Sequence, residues 1–143
     1  TGPNMPDSVL YVCLGNSCRS IMAEALTRHI FPDSVLAGSA GLNPLGFISE
    51  ETLQVLAEAG VATAGLWSKG LADLDLQEFH LLVNLTTFSL EARVPQVFSG
   101  RVIHHPVTDP FGRSLPVYRE AREVIHRFVR EELPRYFGQD SYR

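Results

Sequence analysis

The sequence predicts an α/β protein with a parallel four-stranded sheet flanked by helices on both faces. Three observations carry this reading. Apolar β-rich runs alternate with stretches of helical periodicity along the chain. The first run is apolar without alternation, as a strand buried on both faces requires. The 143 residues contain no internal repeat, low-complexity tract or linker, and that length suits one domain with a real core.

Taken in order, "SVLYVCL" at 8–14 is the first strand. Met22, Leu26 and Ile30, with Ala25 and His29, then recur at helical spacing until Pro32 stops them. "SVLAGSAGL" at 34–42 reads as a second strand ending in Gly-rich turn chemistry. Ser49 is the expected cap of a second helix with Glu50 and Glu51 in its first turn. Leu53, Leu56 and Ala57 are expected to face inward there, and Gly60 to close it. "FHLLVNL" at 79–85 is a third strand and "GRVIHH" at 100–105 a fourth. Ser114 and Pro116 open a long last helix whose stripe is Tyr118, Ile125, Val129 and Leu133. Residues 1–4, "TGPN", are read as a cloning remnant ahead of Met5, leaving one domain over 5–143.

The bulk numbers exclude several function classes. Hydrophobic residues make up 45% and charged residues 20%, ordinary values for a soluble globular domain. No apolar run approaches the roughly 18 residues of a membrane span, and no basic segment leads into an apolar leader. The net charge is −4, and Lys and Arg do not cluster before the last helix, which argues against nucleic acid. The basic residues are nearly all arginines, with Lys69 the only lysine. Two cysteines are too few for a disulfide scaffold, so a reducing cytoplasm is expected.

The chemistry concentrates in "CLGNSCRS", which leaves the first strand at Cys13 and enters a helix at Arg19-Ser20. A loop from strand to helix aims backbone N–H groups and the positive end of the helix dipole at one point. Successive N–H groups there form a concave nest for an oxyanion. Gly15 and Asn16 suit the unusual backbone angles of such a curve. Arg19 at the rim offers a planar fork that matches two oxygens of a tetrahedral anion. Cysteines near helix N-termini or cations ionise more readily than free thiols, so the same field favours a thiolate at Cys13, with Ser20 placed to hydrogen-bond it. The loop thus binds a phosphate-like group and holds a nucleophile beneath its central atom. A nucleotide-binding P-loop is excluded, because no Gly-Lys-Ser/Thr follows.

"CLGNSCRS" resembles the signature loop of the low-molecular-weight protein tyrosine phosphatases, a C-x5-R-S phosphate loop directly after the first strand. The resemblance spans nearly the whole chain. "SAG" after the second strand and "SKGL" at 68–71 resemble further family segments, and "DPFG" at 109–112 resembles the family's acid loop. It implies a three-layer domain with a four-stranded parallel sheet, the first strand central and the catalytic loop at its end. It also implies a phosphate site formed by Leu14, Gly15, Asn16, Ser17, Cys18, Arg19 and Ser20, with no cofactor and no metal.

Three catalytic roles follow. Cys13 would attack phosphorus in line and form a phosphocysteine. Arg19 would bind two equatorial oxygens and stabilise transition-state charge. Asp109 would protonate the leaving phenolate, whose basicity makes that proton valuable, and later deprotonate the water; the plain alternative for it is an Asp-Pro turn. Phe111 and Phe47 are placed at the substrate slot, with simple packing as the alternative. Trp67 is a second candidate for the border of the active site, with an ordinary packing role the safer expectation. Asn16 and Ser20 keep the loop in shape. The resemblance implies a redox partner role for Cys18, trapping an oxidised Cys13 as a disulfide, against which stands a small core residue. His104 and His105 point to opposite faces of a strand, so they do not share a metal ion.

Two departures qualify the resemblance: Ile21 stands where the family usually has Pro, and Phe111-Gly112 replaces the paired tyrosines of animal members. "FSLEAR" at 88–93 has no clear counterpart to an acidic helix start seen in many members. The expected substrate is a phosphotyrosyl protein or a small aryl phosphate. The first rival is arsenate reduction, since related arsenate reductases share the loop. Their thioredoxin-linked members use two further cysteines, and this chain has none after Cys18, so a reductase would need a small-molecule thiol. The second rival is a non-catalytic phosphate-binding module, which would need neither thiolate nor acid. Oligomeric state is not legible in the sequence.

Overall fold

The unbroken apolar run after Asp7 becomes a strand with neighbours on both sides. In the computed structural model, residues 7–90, 93–94 and 98–138 are described. Strands β1 (Asp7–Cys13), β2 (Val35–Gly41), β3 (Leu81–Asn84) and β4 (Arg101–His104) form one parallel sheet in the order β2-β1-β3-β4. β1 pairs with β2 along its whole length and with β3 through Val9–Val12. Both of its edges are satisfied, so every residue after Asp7 is buried. That internal position matches the expected fold, and it puts Cys13 at the carboxyl end of an inner strand.

Alternation then divides the core. Val9, Tyr11, Leu81 and Val83 face one way and meet helices α1 (Arg19–Ile30), α2 (Glu50–Glu58) and α3 (Leu115–Arg127). The Tyr11 hydroxyl reaches Thr27 Oγ1 at 2.7 Å, which keeps a buried polar group satisfied. Leu10, Val12 and Leu82 face the other way, against Leu76, Phe79 and Leu90. The cover on this second face is thinner than expected: it comes from loops and two 3₁₀ turns, Leu71–Asp73 and Leu76–Glu78. Among the described residues, no helix is long and apolar enough to cross a membrane.

Several local expectations change. α2 turns Thr52, Val55 and Leu56 inward rather than Leu53 and Ala57, because its register is set by packing on α1 and α3. Gly60 does close it, with φ of +73°. The last helix starts with Pro116 in its first turn, loosens into a π turn at Phe128–Glu132 and ends in a 3₁₀ turn at Leu133–Tyr136. Tyr118, Ile125, Val129 and Leu133 are all buried, as the stripe requires. Residues 1–6, 91–92, 95–97 and 139–143 lie outside the described residues, so "TGPN", both ends of the expected 5–143 domain and part of "FSLEAR" are not described structurally.

Candidate active site

The loop between β1 and α1 is held from outside by its carbonyls. Cys13 O accepts from Leu42 N–H at 3.0 Å, Leu14 O from Asn43 N–H at 2.8 Å and Gly15 O from Leu45 N–H at 3.0 Å. Ser17 O accepts from Ser49 N–H at 3.3 Å and from Thr52 Oγ1 at 2.9 Å. Cys18 O accepts from Met22 N–H at 2.9 Å. With these carbonyls bonded outward, the N–H groups of Leu14 to Arg19 have no protein acceptor among the described residues. They are the free donors of a nest that suits an anion.

The backbone curvature depends on two positions. Asn16 is the non-glycine residue with positive φ, at 48°, among the described residues. Gly15 does not take such an angle. It is small because a Cβ there would lie 2.9 Å from Leu45 Cγ. A third glycine, Gly41 at the end of β2, is required by close approach: a Cβ there would sit 2.8 Å from both Asn16 N and Leu14 O.

Side chains then fix the centre. Cys13 Sγ is 2.8 Å from Ser20 Oγ. Asn16 Nδ2 donates to Ser20 Oγ at 2.7 Å and to Ser39 Oγ at 3.0 Å, while Asn16 Oδ1 accepts from Lys69 N–H at 2.8 Å. Arg19 is buried, and its Nη1 donates to Leu85 O at 3.3 Å and Val107 O at 3.1 Å, just past the ends of β3 and β4. Its Nη2 lies 3.5 Å from Asp109 Oδ2. Its Nε is buried without a hydrogen-bond partner among the described residues. One edge of the guanidinium is therefore anchored, and the other is open for two oxygens.

A pocket of about 260 Å³ collects Cys13, Leu14, Gly15, Ser17, Cys18, Arg19, Asn43, Leu45, Asp109 and Phe111. Ten of the eleven expected site residues fall on it or in direct support of it. Asn16 and Ser20 are fully buried behind the cup. Phe47, the eleventh, does not line the pocket but stands beside Phe111, with ring centroids 6.4 Å apart, and both rings are exposed. Asn43 and Leu45 line the pocket without having been singled out by sequence. Both follow a Gly-rich turn whose role is visible only once β2 is placed beside β1.

The remaining groups settle elsewhere. Ser49 stands before α2 but does not cap it through its side chain. Its hydroxyl lies 3.2 Å from both Ser17 Oγ and Cys18 Sγ. Cys18 is free, as is Cys13, and burial pushes the Cys18 thiol up despite nearby hydroxyls of Ser49, Thr52 and Tyr118. His104 Nδ1 meets Asn84 Nδ2 at 3.2 Å, whereas His105 packs a tilted ring against Phe128 with centroids 4.5 Å apart. Trp67 does not line the pocket; it is 52% exposed and its ring lies against Lys69, with Nζ 5.3 Å from the centroid.

The family model for low molecular weight phosphotyrosine protein phosphatase matches residues 8–136. The chain is 29% identical to the probable low molecular weight protein-tyrosine-phosphatase EpsP of Ralstonia nicotianae, covering 92% of this chain and 97% of that one. It is also 29% identical to the protein-arginine-phosphatase of Bacillus subtilis, over 86% and 92% respectively. Among solved structures, an arsenate reductase from Archaeoglobus fulgidus superimposes with a TM-score of 0.73 at 30% identity, over 85% of this chain and 94% of that one. The chain belongs to the low molecular weight phosphotyrosine protein phosphatase family.

Proposed function

We propose that this family member hydrolyses phosphotyrosine or other aryl phosphate monoesters through a phosphocysteine intermediate. The observation that carries the reading is one pocket that holds the Cys13 sulfur, the open edge of Arg19 and the Asp109 carboxylate. The phosphoryl oxygens take the free N–H groups of the loop together with Arg19 Nε and Nη2. The Cys13 thiolate forms an S–P bond as the P–O bond to the leaving group breaks, and Asp109 delivers a proton to the departing oxygen. Water then attacks phosphorus, Asp109 takes its proton, and the S–P bond breaks to release phosphate and the thiolate. Phe111, with Phe47 behind it, supplies an aromatic wall for the substrate ring.

Arsenate reduction is the second reading, favoured by the likeness to the Archaeoglobus structure. Against it stands the thiol inventory: Cys13 and Cys18 are the two cysteines of the chain, so electrons would have to come from an external thiol. The B. subtilis relative adds phosphoarginine as a candidate substrate. A reducing cytoplasmic setting belongs to this proposal, supported by two free thiols at the site.

The test runs p-nitrophenyl phosphate, a phosphotyrosyl peptide and a phosphoarginyl peptide without added thiol, and arsenate with glutathione alongside. Thiol-independent phosphate release from the aryl substrates is expected. Thiol-dependent arsenite release with no phosphatase turnover overturns the proposal, and turnover confined to phosphoarginine replaces its substrate class.

A further inference from the structure

A second cleft, of about 390 Å³, opens beside the reaction centre and takes no part in the chemistry described above. It is formed by the turn after β3 (residues 86–88) and the segment after β4 (residues 106–108), together with Leu14, Arg19 and Asp109. Those last three residues also line the catalytic pocket, whereas Leu45 and Phe111 line that pocket alone. The two cavities therefore meet at the carboxylate that serves the leaving group. An isolated aryl phosphate, with its ring against Phe111, leaves the second cleft unfilled.

The cleft carries an apolar ring on a fixed turn. Phe88 is 55% exposed, and an aromatic side chain left in water gains from being covered. Its backbone is held at both ends: Phe88 N–H donates to Thr86 Oγ1 at 3.0 Å, and Phe88 O accepts from Asn84 Nδ2 at 2.7 Å. Asn84 is itself fixed, because its Oδ1 accepts from Thr86 N–H at 3.0 Å and from Thr86 Oγ1 at 2.7 Å. A ring braced in this way is preorganised for a partner. Leu14 and Pro106 add apolar surface beside it. Among the described residues of the lining, the charged side chains are Arg19 and Asp109, which face each other at 3.5 Å. An apolar neighbour therefore suits the cleft better than an acidic one.

Polar groups supply the other half of the fit. The N–H groups and hydroxyls of Thr87 and Thr108, one on each side of the cleft's two segments, have no hydrogen-bond partner among the described residues. Main-chain pairing for affinity and a pocket for one side chain are what an extended peptide requires. We propose that this cleft is a specificity subsite: it receives an apolar side chain next to the phosphorylated residue of a peptide substrate, and Phe88 is the residue that selects it. The inference rests on the proposed phosphatase reading and deepens it, naming a peptide rather than a small ester as the substrate.

The test is isothermal titration with peptides in which phosphonomethyl-phenylalanine replaces phosphotyrosine, so that binding is read without turnover. Leucine is placed in turn at each position flanking that residue in an otherwise Gly-Ser peptide. At one position leucine should tighten binding to the parent protein roughly tenfold over glycine, the lower end for burying a side chain of that size. Phe88→Ser empties the wall and Thr87→Trp fills the cleft; both positions are exposed, so the fold tolerates either change. Each variant should bring the leucine preference to about one, as loss of the burial requires. A parent without leucine preference at any position overturns the proposal, as does a preference that survives either substitution or a failure of every peptide to bind. Turnover of phosphotyrosyl peptides is measured in parallel. Turnover with no leucine preference strikes the subsite and leaves the phosphatase reading; leucine-selective binding without turnover strikes that reading and leaves the subsite.

Discussion

The loop from Cys13 to Ser20 and the loop carrying Asp109 face the same pocket but are built by opposite means. The first is buried and fixed from outside at carbonyl after carbonyl, with Asn16, Ser39 and Lys69 bracing it from behind. The second is exposed. Asp109 is 46% accessible and is held by its own turn, through Phe111 N–H at 3.1 Å, and by Arg19 Nη2 at 3.5 Å. The difference matches the two tasks that the proposed reaction assigns to them. A nucleophile and an anion cradle work best when preorganised, since their donors then cost nothing to align during reaction. A group that must serve two different oxygens in turn, first the leaving group and then water, gains from a lighter hold. The contact with Arg19 also has a competitor. In the proposed reaction, a phosphoryl oxygen that takes Nη2 would displace Asp109 from it, and so would free the carboxylate to face the leaving group.

The largest expected effect tests the rigid side. Cys13→Ser should lower aryl phosphate turnover by at least about 10⁴-fold, as removal of a covalent nucleophile does, while phosphate still binds the cradle. Turnover that survives the change, measured with active-site titration to exclude contaminating enzyme, removes the covalent route. On the lighter side, Asp109→Asn should cost about 10²- to 10³-fold on phenyl phosphate, in the range for a lost general acid. Activated esters such as dinitrophenyl phosphate should be nearly spared; a plot of rate against leaving-group basicity that keeps the parent slope would take Asp109 out of the acid role. The smallest effect returns to the cradle. Gly41→Ala places a methyl group 2.8 Å from Asn16 N and Leu14 O, an overpacking expected to cost about 1–3 kcal/mol of stability. Isothermal titration with phosphate should also show weaker binding, by roughly tenfold at the same order of energy. Wild-type affinity together with a wild-type melting curve would show that the cradle tolerates movement and would erase the contrast between the two loops.

How far these regions could be read from sequence follows the distance over which their causes act. Cys13 and Arg19 were legible because a strand end, a turn and a helix start lie within one short string. The parallel sheet was legible in the unalternating run of β1. The central place of β1 came from resemblance to a family and not from pattern, since no local signal says which strand will neighbour which. The buried ion pair of Lys69 Nζ and Glu24 Oε1, 3.3 Å apart, was missed because its members are 45 positions apart. Glu24 in "MAEAL" is a charge inside an apolar stretch, and Lys69 is the lone lysine; together these were the available signal. Ser49 and Gly15 show a subtler limit. Their residue types suit a cap and a strained turn, yet tertiary contacts with Ser17, Cys18 and Leu45 employ them otherwise.

The outward clasp on the nucleophile's loop has a consequence for how activity arises. Its partners come from residues 42–45, 49–52 and 69, regions that fall into place only when β2 and α2 have docked. No fragment of the chain can therefore preassemble the cup, and a partly collapsed polypeptide should be inert. Catalytic competence is a late, cooperative property of this fold, so its loss in urea should coincide with the melting of secondary structure and not precede it.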